Sequence, residues 1–269
     1  MRRILDCGPA DFEDMSCGTL LEAVRRSEGR TILCEVLWPA SPLVDGVSNA
    51  EVAVAFGADL VLLNMFDGED LAGLKRRLGR PVGVNVEPSE SVPGHRRASR
   101  ENLERLADAD FLVVTANPDA EVGVEEMLSA VALARETLTG GLVFAGKMHG
   151  SGKEGMVGEG EMAELAGASD AVLIPAPGTV PGSREPLVAE LADTAHASGA
   201  LVVATIGTSQ EGADAETVRG LALAAKRAGA DVLHLGDAGP SGITEPMNVL
   251  AASLAIRGRR HAYRRMAMR

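Results

Sequence analysis

Aromatic side chains are nearly missing from this chain of 269 residues: five Phe, one Trp and one Tyr make up 3% of it. Small aliphatic side chains must therefore fill the core. Cysteine is sparse too. Cys7, Cys17 and Cys34 are the whole set and show no C-x-x-C spacing, which fits a reducing cytoplasm better than a disulfide framework. No apolar run approaches 18 residues, and MRRILDCGPADFEDM has no apolar signal core, so neither secretion nor membrane spanning is expected. Positive charge is also in deficit. The net charge of −12 repels phosphate backbones and argues against nucleic-acid binding. The stretch RGRRHAYRR (257–265) is a local exception, read as a solvated last helix, with a phosphate or partner contact as the alternative. Homo-oligomer formation through this tail or the outer helices stays open.

What is present is a rhythm. Eight short apolar runs recur: TILCEVLW (31–38), ADLVLLNMF (58–66), PVGVNVEP (81–88), ADFLVVTAN (109–117), GLVFAGKMH (141–149), SDAVLIPAP (169–177), ALVVATIGT (200–208) and ADVLHLGDA (230–238). Each is short, β-branched or leucine-rich, and nearly continuous in hydrophobicity, as strands buried on both faces are. Between them lie helical patterns, such as Val188, Leu191, Ala192 and Ala195 at i, i+3, i+4 and i+7. Ser48 and Glu51 form an S-x-x-E capping box. Strand–helix alternation implies parallel pairing with right-handed crossovers. Asp59, Asp110, Asp170 and Asp231 each precede an even-numbered run, 51, 60 and 61 residues apart. Two βα units per period make four repeats closing a ring; each aspartate is expected in the tight turn after a helix.

The expectation is a single α/β domain, a (β/α)8 TIM barrel over 31–256. Residues 1–30 supply a short helical cap, LLEAVRRSEG, over the bottom, and 257–269 a basic tail. An open doubly wound sheet is the alternative. It would be signalled by a phosphate fingerprint after the first strand, which is not there.

In such a barrel the chemistry sits at the carboxyl ends of the strands. Polar residues close the apolar runs there: Glu35, Asn64, Asn85 and Glu87, Thr115 and Asn117, Lys147 and His149, Thr205, His234 and Asp237. The polar-x-polar pairs of runs three, four and five share one face by alternation. If that face is the inner one, Asn85, Glu87, Thr115, Asn117, Lys147 and His149 converge. A lysine closing an apolar strand can form a Schiff base, act as an acid–base group, or only bind an anion. His149 could shuttle its proton. Glu35 is a base, a metal ligand or the lysine's structural partner; His234 reads as a core histidine. No H-x-H or H-E-x-x-H metal spacing occurs.

Loops seven (GTSQEGAD, 207–214) and eight (GDAGPSG, 236–242) have the composition of an anion cradle, with Gly207, Thr208, Ser209, Gly236 and Gly239 as backbone donors. Asp237 and Glu211 oppose a phosphate there. Tight turns that use glycine for backbone reasons are the alternative. Loop five, GSGKEGMVGEG (150–160), is glycine-dense and a candidate lid. Loop six (175–186), with four prolines, is a stiff wall.

In DGVSNAEVAVAFGADLVLLNMFD, AGKMH, LIPAPGTVPG, IGTSQEGAD, HLGDAG and IRGRRHAY the chain resembles a bacterial TIM-barrel family whose members carry labels such as PEP phosphonomutase-like or haloacid dehalogenase-like. The likeness spans nearly the whole chain. The KKCGH-type loop, the paired-aspartate magnesium cluster and the DxDxT nucleophile are absent. The resemblance therefore implies a barrel and an enzyme, and leaves the reaction open. A weaker likeness to photosystem-biogenesis and nucleosidase-like barrels adds a hydrolytic reading.

Three functions follow. The first is lyase or isomerase chemistry on a small, phosphorylated carbonyl or sugar substrate through an imine or enolate at Lys147. His149 moves protons, and Glu35 or Glu87 assists. The second is a magnesium-assisted lyase or glycosyl hydrolase using Glu35, Glu87 and Asp237. The third is a non-catalytic metabolite-binding barrel.

Overall fold

The computed structural model describes residues 2–116, 122–138, 140–147 and 156–268. Two short helices, α1 (Pro9–Glu13) and α2 (Cys17–Arg25), precede the first strand. Then β1 (Thr31–Leu37), α3 (Asn49–Ala55), β2 (Leu60–Asn64), α4 (Leu71–Leu78), β3 (Val82–Val86), α5 (Arg100–Arg105), β4 (Phe111–Ala116) and α6 (Val124–Thr137) follow. The second half is β5 (Leu142–Lys147), α7 (Glu159–Ala168), β6 (Ala171–Pro175), α8 (Glu185–Ala197), β7 (Leu201–Ile206), α9 (Ala215–Arg227), β8 (Val232–Leu235) and α10 (Pro246–Ala267). The strands form a closed ring in chain order, every pair parallel, with β8 returning to β1. All eight apolar runs become strands. The Ser48–Glu51 capping box forms, with reciprocal bonds of 2.9 and 3.3 Å.

Burial on both strand faces gives two concentric cores. Outward residues such as Val61, Val84, Leu112 and Val202 pack against the helices. Inward residues, among them Leu33, Leu62, Phe111, Val113, Phe144 and Val203, fill the barrel itself. Phe111 and Phe144 stack with ring centroids 5.0 Å apart, so two of the few aromatics plug the lower interior. Gly83 makes this fit: a Cβ there would lie 2.1 Å from the Phe111 ring. Helix α2 presents Leu20, Ala23 and Val24 to the same inner cluster and so covers the bottom of the barrel.

The four repeating aspartates do more than occupy turns. Asp59, Asp110, Asp170 and Asp231 receive the backbone N–H of Ile32, Val82, Val143 and Val202 at 2.8, 2.8, 2.8 and 2.9 Å. Each aspartate also donates its own N–H to the carbonyl of that same residue. A carboxylate thus clasps the start of every odd strand from the turn ahead of the next even one. Each clasp has a cationic partner or, for Asp231, a histidine. Lys75 meets Asp110 at 2.8 Å, Arg135 meets Asp170 at 3.3 Å, and His196 meets Asp231 at 2.8 Å.

Asp59 differs. It is fully buried and held by Arg257 and Arg265, both at 2.6 Å and both buried. These arginines come from the basic tail, which corrects its reading as a solvated helix. Helix α10 kinks at Gly258 (φ 71°), turning Arg257, His261 and Arg265 inward while Arg259, Arg260 and Arg264 stay exposed. Arg265 also donates to the carbonyls of Ile4 and Cys7, tying the N-terminal segment to the barrel bottom. Arg80 is buried beside this group. Desolvation, with Arg265 nearby, pulls its guanidinium down to about 10.

Removing one partner of a buried ion pair is far more damaging than removing a half-exposed one. Asp59→Ala is expected to cost about 3–5 kcal/mol, and Asp170→Ala about 2 kcal/mol, the worth of a charged hydrogen bond. Urea unfolding at neutral pH measures both. Equal losses would show that the buried arginines do not distinguish the first clasp.

Candidate active site

The carboxyl rim of the barrel is where the backbone is strained. Among the described residues, five non-glycine residues have positive φ. Four of them lie in rim loops: Met65 after β2, Thr208 and Ser209 after β7, and Ala238 after β8. Such conformations cost roughly 1–3 kcal/mol each and persist where the surroundings over-determine them. After β7 the result is specific. Two successive left-handed residues throw the chain into a 3-10 turn, Gln210–Gly212, that carries Glu211 back over the barrel mouth. Thr244 and Asn248 pin it by donating to the Glu211 carbonyl.

The mouth encloses a cavity of about 180 Å³, suited to a small metabolite. One arc of its wall, from β7 through β8 to β1, is acidic. Glu211, Asp237 and Glu35 line it, with His234 between them. His234 is buried, and its Nε2 lies 3.2 Å from Glu35 without hydrogen-bond alignment; neither ring nitrogen has a hydrogen-bond partner among the described residues. Glu211 Oε2, Asn64 Oδ1 and Thr205 Oγ1 are likewise buried and unpartnered among the described residues. Burial pushes the Glu211 carboxyl up, and the neighbouring Asp237 and Glu35 charges act in the same direction. His234 thus belongs to the cavity and is not a core histidine with a satisfied nitrogen. Asn64 reaches across to donate to Asp237 at 2.8 Å.

The opposite arc, from β3 to β5, differs from the expectation. Asn85 and Thr115 do turn inward together, the threonine hydroxyl donating to Asn85 Oδ1 at 2.7 Å. Glu87 does not line the cavity. It is fully buried and pairs with Arg96, and Arg96 lines the wall in its place. On β5 the inward positions are Phe144 and Gly146, where a Cβ would strike Leu173 at 2.5 Å. Lys147 therefore has the other parity, yet borders the cavity, half-buried, at the last position of the strand. Asn117, His149 and most of the glycine-dense loop lie outside the described residues.

Of the backbone donors expected on loops seven and eight, the two on loop eight already have partners. The N–H of Gly236 donates to Ile206 O and that of Gly239 to Asp237 Oδ1, so both are engaged within the protein. Gly207 and Thr208 line the cavity, while Ser209 is exposed and does not. The Thr208 hydroxyl bonds the carbonyl of Thr179, tying loop seven to loop six. Loop six, closed by Ser183 on Gly178 and Val180, stands as the wall expected of it.

Two residues were out of reach of sequence reasoning. Arg96 sits in an unremarkable loop, PGHRRAS, with only the glutamate at the end of the preceding strand as a signal. Glu211 registers in the sequence only as an obstacle to phosphate. Glu35, Glu87 and Asp237 do not assemble as a magnesium site. Among the described residues no three His, Cys, Asp or Glu side chains gather as metal ligands.

A family model matches residues 5–269. The chain belongs to the family described as a domain of unknown function, DUF7916. No curated protein matches it. In fold it is similar to thiamine phosphate pyrophosphorylase from Pyrococcus furiosus, with a TM-score of 0.52 and 13% identity over 85% of this chain and 96% of that one. It is also similar to the YdjI aldolase from Escherichia coli K12, with a TM-score of 0.54 and 12% identity over 80% of this chain and 77% of that one. At such identities the likeness shows the barrel alone. Neither comparison carries the phosphonomutase-like or dehalogenase-like labels. Among the described residues no helix is long and apolar enough to cross a membrane.

The raised Glu211 carboxyl has a stability signature. A group whose folded pKa exceeds its unfolded value, about 4.3 for glutamate, favours the fold below that value and loses this contribution as pH rises through the folded pKa. Glu211→Gln removes the dependence. Urea unfolding from pH 4 to 7 should show wild type losing stability relative to the variant as pH rises. A constant difference would place Glu211 in an unperturbed setting.

Proposed function

We propose that the protein is an enzyme acting on a small anionic carbonyl or sugar substrate by lyase or isomerase chemistry. The observation that carries this is the cavity's pairing of unpartnered, buried proton-handling groups with cations. Glu211 and His234 face it from one arc, Lys147 and Arg96 from the other. A buried carboxyl with a raised pKa takes or gives a proton near neutral pH more effectively than an exposed one. The Glu35 carboxylate lies 3.2 Å from His234 Nε2 on the same arc.

In this reading a carboxylate removes the proton from the carbon beside the carbonyl. The electron pair moves onto the carbonyl oxygen, and the enolate formed is stabilised by the amine of Lys147. Alternatively that amine adds to the carbonyl and loses water, and the imine is the electron sink. The opposite strand parity of Lys147 and Gly146 favours the enolate form, because it denies the lysine the fully inward position. Likeness in fold to an aldolase agrees with lyase chemistry without carrying it.

The test is solvent-deuterium incorporation into a panel of short phosphorylated and carboxylated aldoses and ketoses, followed by NMR. Wild type should exchange the proton beside the carbonyl of at least one of them. Glu211→Gln and Lys147→Ala should each slow exchange by about 10²–10⁴-fold. Borohydride added with that substrate should leave no adduct on Lys147 if the enolate form holds, and a reduced adduct if the imine form does. A panel without any exchange would end the proposal.

A further inference from the structure

The wall of the cavity is divided by hydrogen-bonding sense, and the division runs against the usual location of an anion in this architecture. Phosphate is ordinarily held by the loops after the seventh and eighth strands. Here those loops present Glu211 and Asp237, with Glu35 beside them on β1. Three acceptors on that arc would repel an anion. Donors face them from across the ring. Arg96 lines the β3 side together with Asn85, which is on β3 itself, and Lys147 closes β5. Because the Thr115 hydroxyl donates to Asn85 Oδ1, the amide Nδ2 is left as that side chain's donor.

Arg96 is held in place before any ligand arrives. Its own carbonyl accepts from Glu87 N–H at 2.7 Å, and Ala98 N–H returns to the Glu87 carbonyl at 2.8 Å. Asn102 fastens the same loop by donating to the carbonyls of His95 and Arg97. The Glu87 carboxylate, wholly buried, engages one Nη of the guanidinium, while the Arg96 Nε is buried without a partner among the described residues. Glu87 Oε2, in the same pair, is equally unpartnered among the described residues, so the guanidinium meets a ligand through the part that borders the cavity, where its planar fork suits an oxyanion. On the acceptor arc Glu211, more than nine-tenths buried, has an Oε2 with no donor among the described residues.

We infer that the substrate's anionic group, a phosphate or a carboxylate, is bound on the β3 side by Arg96 with Asn85, which leaves Lys147 to the carbonyl, and that its hydroxyl-bearing end lies against Glu35, Glu211 and Asp237. This rests on the reading of the cavity as an active site and names its substrate class: a small polyhydroxy compound with one acidic end. Orientation then follows, since the carbon skeleton spans from Arg96 toward His234. Arg96 is a binding residue in this arrangement, and Glu87 positions it.

Calorimetric titration of the full chain with glycerol 3-phosphate, glycerate, glycerol and inorganic phosphate tests this. At least one of the two compounds with both features should bind about tenfold more tightly than glycerol or phosphate, and the tighter of the two identifies the acidic group. Arg96→Ala should weaken that probe by about tenfold or more. Arg96→Lys, which keeps charge but not the planar fork, should fall between and serves in its place should the alanine variant not fold. In a soaked crystal the acidic group should sit beside Arg96. Unchanged affinity in the Arg96 variants, no binding of either acidic polyol, or density for the acidic group against 207–209 or 236–239 would overturn the assignment. Arg96-dependent binding without deuterium exchange would sink the reaction and spare this inference. Exchange without dependence on Arg96 would do the reverse.

Discussion

A carboxylate that grips the first amides of an alternate strand is the contact on which this barrel is built. It occurs four times, from Asp59, Asp110, Asp170 and Asp231, and each time it joins an odd strand to the turn before its even neighbour. Parallel strands cannot be joined by tight hairpins, so their relative register needs another constraint. Two bonds per clasp supply it at the amino ends. The carboxyl ends are then free to diverge into loops of different length. They tolerate the left-handed Met65, Thr208, Ser209 and Ala238 because register is held at the far end of each strand.

That division of labour explains the chemistry of the mouth. The stacked pair Phe111 and Phe144 separates the clasped floor from the cavity, so the floor's charges and the site's charges sit in different compartments. Above the plug, the polar groups are arranged by sense. Carboxylates and an imidazole occupy one arc, and a braced guanidinium, an amide and an amine occupy the other. In a partly desolvated cavity such an arrangement orients a ligand by its dipole as much as by its shape.

Much of the fold is legible in the sequence because two-sided burial leaves continuous apolar runs, and the aspartate repeat sets the period. The candidate site is legible in part. Strand ends carry polar residues, and Asn64, Asn85, Thr115, Glu35, His234 and Asp237 do reach the cavity wall or its partners. Alternation alone cannot say which parity faces inward. That is decided by contacts such as Phe111 against Gly83 and Leu173 against Gly146, which join residues distant in the chain. The same limit applies to Glu87, whose place is taken by an arginine from the following loop. It applies to the tail as well: Arg257 and Arg265 look like surface charges until the reversal at Gly258 turns them onto Asp59.

The reversal at Gly258 also has a consequence for the order in which the chain assembles. The first clasp cannot be neutralised until residues 257–265 have been made, some two hundred positions after Asp59 itself. The other three clasps take their partners, Lys75, Arg135 and His196, from the helix just ahead of the strand that each aspartate grips. A chain ending before residue 257 would therefore leave the Asp59 carboxylate buried without its cations, the one clasp of the four so dependent on the far end of the sequence.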